Sequence, residues 1–182
     1  MSWEKAWVTS PGDLSDRTLE VPEFDPRDLR NALGRFATGV CLVTTQGVDG
    51  KREGLTANSF SSVSLEPPIV LWSLRRGAGS LATFIAAEHF CINVLHAEQI
   101  DISRHFCRPQ MDKFEQVAEA FGTGIGGLPT LKGALATFEC ERVSHQVVGD
   151  HVVFYGLVRR YTYSDASPLA FHAGNYACLQ SA

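Results

Sequence analysis

Between Gly54 and Pro68 the chain carries a dense run of short polar side chains: Thr56, Asn58, Ser59, Ser61, Ser62 and Ser64, set among apolar residues and ended by Pro67 and Pro68. Hydroxyls and amides of this size are donors and acceptors with little reach, and small residues leave backbone N–H groups accessible. The combination suits a polar, planar, phosphate-bearing ligand better than a hydrophobic core. A cluster of serines also raises covalent hydrolysis. That chemistry needs one serine beside one base, and the strained G-x-S-x-G elbow that would present it does not occur.

Three other places could take part. Arg75-Arg76-Gly77-Ala78-Gly79-Ser80 brings two guanidiniums, a pliable loop and a helix start together, which are the parts an anion wants; the plainer alternative is a solvated loop with a helix cap. Gly149-Asp150-His151 is a turn that places a histidine at the first residue of a strand, so its ring would stand at a barrel rim. The other five histidines form neither H-x-H nor H-E-x-x-H, and a metal site is not expected. Gly122-Thr123-Gly124-Ile125-Gly126-Gly127 has the letters of a dinucleotide fingerprint. A helical-looking segment precedes it and Leu128-Pro129 follows, so the strand before and helix after that the motif needs are missing, and it reads as a connection.

These residues must be held by a scaffold, and the hydrophobic pattern outlines one. Asp25 can cap a helix that Pro26 begins, with Leu29, Leu33 and Phe36 on one face and Gly39 as terminator. Strands follow at 40–45, across a Gly47–Gly50 turn into the polar run, at 69–74 and at 90–95. Short helices are expected after Ser80 and over 98–106. Residues 134–147 and 151–161 form a long hairpin turning at Val148-Gly149-Asp150, and 168–179 is a last strand. Short strands with few helices between them predict a mainly β fold with peripheral helices, an antiparallel barrel rather than a parallel sheet. Residues 1–24 read as an N-terminal arm, with Trp3 and Trp7 as anchors, and 25–182 as one domain.

The bulk numbers are consistent with that. A chain of 182 residues with 45% hydrophobic content suits one core. A net charge of −4 without a basic patch argues against nucleic acid, and no long apolar run or leader pattern points to a membrane or export. Five widely spaced cysteines without Cys-x-x-Cys read as buried, reduced thiols of a cytoplasmic protein.

Phe36-Ala37-Thr38-Gly39-Val40, the polar run and Gly149-Asp150-His151, in that order and spacing, resemble the flavin reductase-like family: small NAD(P)H:flavin oxidoreductases on an FMN-binding split β-barrel. The resemblance implies FMN or FAD as flavin and NADH or NADPH as hydride donor. By position it implies Thr56, Ala57, Asn58 and Ser59 around the ring, and Ser61 and Ser64 nearer the ribityl and phosphate. It places Arg76, Ser80 and Lys113 at the phosphate end, with Phe106 in the same signature. Gly149, Asp150 and His151 fall on the nicotinamide side, His151 as the catalytic residue. Tyr176 aligns with a family aromatic near the pocket, or is a core aromatic of the last strand. It further implies a homodimer and a partner monooxygenase supplied with reduced flavin. A flavin-binding carrier or store of the same fold, and a module that has lost its ligand, are the alternatives. Arg75, Arg142, Arg159 and Arg160 are all open as partners for a 2′-phosphate.

Overall fold

A computed structural model describes residues 22–108 and 112–179; most of the expected arm, including Trp3 and Trp7, lies outside the described residues. Among the described residues twelve strands and three α-helices run in chain order: α1 Pro26–Leu33, β1 Thr38–Gly39, β2 Cys41–Gln46, β3 Arg52–Ala57, β4 Ser61–Leu65, β5 Pro68–Arg75, α2 Leu81–Ala86, β6 His89–Val94, α3 Ile100–Cys107, β7 Phe121–Thr123, β8 Pro129–Leu131, β9 Ala136–Val148, β10 His151–Tyr163, β11 Leu169–His172 and β12 Asn175–Cys178. Seven strands form one antiparallel sheet in the order β3-β2-β6-β9-β10-β5-β4. Its outer strands, β3 and β4, are consecutive in the chain and joined by residues 58–60 alone. Four peptide steps reach at most about 14 Å, so the sheet must curl until its two edges face each other. No ladder pairs β3 with β4, so the curl stays open among the described residues.

Two aromatic clusters fill the interior. On one side Trp72 stacks on Phe154, ring centroids 4.9 Å apart, and meets Phe84 of α2 edge-on at 4.9 Å. On the other, α3 and the segment after it bring Phe106, Phe114 and Phe121 within 5.0–5.8 Å of one another against Leu42 and Leu95. Long-range bonds tie interior polar groups together: Asn93 donates to the Leu42 carbonyl at 3.0 Å and accepts from the Leu131 N–H at 2.8 Å, which pins the small β7–β8 sheet onto β2 and β6, while the buried Trp72 indole N–H has no partner among the described residues.

Four expectations change. The Asp25 carboxylate does cap α1, accepting from the N–H of Arg27 at 2.7 Å, but the helix stops at Gly34, and Thr38–Gly39 pairs with β11 instead of ending a helix. Leu29, Leu33 and Phe36 are exposed rather than packed inward. The expected last strand is a hairpin, because Ala173 and Gly174 take positive φ (48° and 81°) and reverse the chain. Cys41, Cys91 and Cys140 are buried and reduced, burial pushing Cys41 and Cys140 up to about 12, whereas Cys107 and Cys178 are exposed.

The glycine connection at 122–127 is held by one carboxylate. Glu139, 5% exposed, accepts a forked pair from Arg160 at 2.6 and 2.7 Å and the Ile125 N–H at 2.6 Å. Burial by itself would raise this carboxyl, but the bonds from Arg160 and Ile125 and the guanidinium charge outweigh it and hold it below its ordinary value. A depressed carboxyl contributes stability above its unfolded value and loses it as the pH falls toward the folded one. Glu139→Gln should therefore cost about 1 kcal/mol at pH 7 and flatten the loss of stability on acidification. Denaturant midpoints from pH 7 to pH 3 check this.

Candidate functional site

Thr56 and Ala57 close β3, and Asn58 opens the short link to β4. These three line a cavity of about 160 Å³ together with Val40, Cys107, Phe171 and Tyr176. The wall is built by hydrogen bonds that start in β3 and end in β12. Thr56 donates its hydroxyl to the Ser103 carbonyl at 2.7 Å, and the Ser103 hydroxyl lies 2.8 Å from the Tyr176 phenol. Ser103 is fully buried and Tyr176 is not. Either hydroxyl can donate in this bond, and the pair joins α3 to β12 at the cavity wall.

The link is fastened on its other side. The Ser59 hydroxyl donates to the Ser73 carbonyl at 3.1 Å and accepts from the Ser73 N–H at 2.9 Å, which locks residues 58–60 onto β5. Two residues further along β5, Arg75 stands opposite His151, the first residue of β10. At about 3.4 Å per residue the hydroxyl-rich link and the Gly149-Asp150-His151 corner lie roughly 7 Å apart along the strand. The Arg76 N–H donates to the Asp150 carbonyl at 2.9 Å and joins the basic loop to the same corner. Segments separated by some ninety positions in sequence thus share one end of the sheet.

At that corner Gly149 takes φ 58°, and the two-residue turn brings His151 opposite Val148. The Asp150 carboxylate accepts the Nδ1–H of His151 at 2.7 Å. A carboxylate cannot donate, so the proton sits on Nδ1 and Nε2 is left as a free acceptor. The hydrogen bond from His151 holds the Asp150 carboxyl below its ordinary value.

The remaining candidates divide. Ser61 is exposed and donates to the Ser62 carbonyl; Ser64 is half-buried beside Ile69. Ser80 occupies the cap position of α2 but makes no capping bond, leaving its hydroxyl uncommitted. Lys113 donates to the carbonyls of Gly54 at 3.1 Å and Phe106 at 3.0 Å, so two of its three N–H groups tie α3 to β3; burial pulls its ammonium below its ordinary value. Phe106 is a correction. It is 1% exposed, wedged between Phe114 and Phe121, and cannot touch a ligand. Its part is to pack on Gly54, where a side chain would collide with its ring. Sequence reasoning missed Ser103, Cys107 and Phe171. The available signal for Ser103 was a serine three residues before Phe106 on the inward face of a helix.

Three arginines that were open are now committed: Arg159 to Glu141, Arg160 to Glu139, and Arg142 to the Ala87 carbonyl. The donor set fits a flavin. The cavity edge carries hydroxyl, amide and phenol donors, as a ring with a polar rim requires, and no acid–base dyad stands against it.

A family model described as flavin reductase like domain matches residues 33–180. The chain is 42% identical over 159 residues to a probable flavin reductase of Rhizobium meliloti, covering 87% of this chain and 50% of that one. It is 41% identical over 152 residues to the reductase component of a flavin-dependent trigonelline monooxygenase of Acinetobacter baylyi, covering 82% and 48%. It thus spans about half the length of both curated relatives. Among solved structures, an NADH:FAD oxidoreductase of Streptomyces globisporus superposes with a TM-score of 0.80 at 34% identity, covering 88% of this chain and 98% of that one.

Proposed function

The chain belongs to the flavin reductase like family, and from that premise we propose that it is an NAD(P)H:flavin oxidoreductase whose site lies at the end of the sheet where β3, β5 and the β9–β10 turn meet. One observation carries this reading: the Ser59–Ser73 lock and the Arg75–His151 register bring the polar link and the Gly149-Asp150-His151 corner together. A flavin held there would supply the N5 that takes up hydride from C4 of a nicotinamide.

The protein's share is placement. Thr56, Ala57, Asn58 and Tyr176 border the ring, and the Ser59 lock fixes the backbone that presents them. Held rings at reacting distance, shielded from water, supply most of the acceleration such a transfer needs. Arg76 and Ser80 face the phosphate end, and Lys113 supports it through β3. Asp150 fixes the His151 tautomer, leaving Nε2 to receive a donor from the nicotinamide amide. The open curl of the sheet supports a split-barrel reading of this mainly β fold.

The partner reading follows from the company the chain keeps: reduced flavin passes to a flavin-dependent monooxygenase. A homodimer is favoured by Val63 and Leu65 at the β4 edge and by Tyr161 and Tyr163 on β10, apolar side chains 50–91% exposed that a second copy would cover. The protein works in the cytoplasm. Purified protein mixed with NADH and FMN or FAD should consume NADH at 340 nm. A rate equal to the protein-free control with every flavin and nicotinamide pairing ends the proposal.

Ser103→Ala should raise the flavin dissociation constant about fivefold, matching roughly 1 kcal/mol for a lost buried bond, while Ser103→Thr restores most of it. Fluorescence titration of the two variants reads this.

A further inference from the structure

We propose that the groove between α1 and the β11–β12 turn seats the adenosine phosphate half of a dinucleotide. It rests on the flavin reductase reading, which supplies two such ligands, and it goes beyond that reading by assigning a separate cavity. The groove, about 480 Å³, is three times the size of the ring cavity and adjoins it at Asn58 and Phe171, which line both.

Its lining has the chemistry a nucleotide asks for. Arg30 and Arg35 are exposed and enter no ion pair among the described residues, in a chain whose net charge is −4. Guanidiniums without carboxylates are ready partners for phosphate oxygens. Phe36, 79% exposed, offers an aromatic face of the kind purines stack on. The amides of Asn31 and Asn58 supply donors and acceptors for a base edge. The Thr38 hydroxyl, also on this lining, is shielded from solvent and has no hydrogen-bond partner among the described residues. One bond ties α1 to the turn: the Ala173 N–H donates to the Gly34 carbonyl at 2.9 Å, and Ala173 keeps φ 48°. A non-glycine residue in that conformation is strained and is held by its surroundings. The same turn carries β12, and so Tyr176, into the ring cavity.

Adenosine 5′-monophosphate alone is the first probe, titrated calorimetrically into the full chain at low salt, where exposed charges are least screened. It should bind the wild type and lose about tenfold in affinity in an Arg30→Ala/Arg35→Ala variant, the size expected for charge-assisted bonds. Arg30→Lys/Arg35→Lys should fall between, and Phe36→Ser should weaken binding independently. Failure of the wild type to bind, or equal binding by the alanine variant, overturns the proposal. No flavin enters that measurement, so it is distinct from failure of the reductase reading, which is wild type that neither binds flavin nor oxidises NADH. Steady-state kinetics then identify the source. A KM for FAD raised about tenfold with FMN within about twofold assigns the groove to the flavin's own adenylate. The same rise for NADH, with both flavins unchanged, assigns it to the hydride donor. Equal losses for FMN and FAD with NADH unaffected, or no change in any constant, overturns it.

Discussion

His151→Ala should lower kcat/KM for NADH by about 10-fold, the equivalent of one hydrogen bond of roughly 1.5 kcal/mol, while flavin affinity stays within about twofold of wild type. The asymmetry comes from where the ring stands. His151 stands at the corner of β10, opposite Arg75, and is not among the residues that line the ring cavity. Its side chain is 40% exposed, so losing it removes no core packing. What disappears is the Nε2 acceptor that the Asp150 carboxylate holds in one tautomer. Asp150→Asn keeps the shape and loses the charge, so it should give a smaller loss in the same parameter. Stopped-flow reduction at varied NADH, beside a flavin titration, reads both effects. A collapse of flavin binding with normal nicotinamide kinetics would assign this corner to the flavin instead.

The second large effect is on folding. Gly156 sits at a bulge in β10, where the register to β9 shifts between Tyr155 and Gly156. A Cβ there would collide with the Phe90 ring and lie 2.8 Å from the Cβ of Cys140, both almost wholly buried. Neither neighbour can withdraw, because Phe90 packs edge-on against Trp72 and Cys140 is enclosed between β6 and β10. Gly156→Ala should cost about 3 kcal/mol, the upper range for overpacking, and lower the melting temperature by roughly 10 °C. Gly156→Val should not yield folded protein. Phe90→Leu combined with Gly156→Ala should be more stable than the sum of the two single losses by about 1 kcal/mol, since the shorter side chain makes room. Additive losses would locate the clash elsewhere.

The sequence showed the strands better than their neighbours. Alternation and β-branching place β2, β5, β6 and the long β9–β10 hairpin within a few residues, because those segments bury one face or both. It could not show that β3 and β4, adjacent in the chain, form opposite edges of the sheet, since edge order depends on pairings across the whole molecule. Nor does local propensity reveal the β11–β12 hairpin: its turn is an alanine held at positive φ by the bond its N–H donates to the Gly34 carbonyl, a tertiary constraint. In the site, the polar run and the Gly-Asp-His corner were visible from residue types. Phe106 was misassigned because a motif match says nothing about which way an aromatic ring faces. Ser103 was overlooked because its importance lies in two partners, Thr56 and Tyr176, drawn from opposite ends of the chain.

Residues 58–60 also act as a gauge. Three residues stitch one margin of the sheet to the other, and their length sets how far the mouth between those margins can gape. Splicing two glycines into that stitch would let the margins drift while every strand stayed intact. The outcome would be a well-folded protein that has lost its grip on the ring, whereas the same insertion at Val48, a 90% exposed hairpin tip, would pass almost unnoticed.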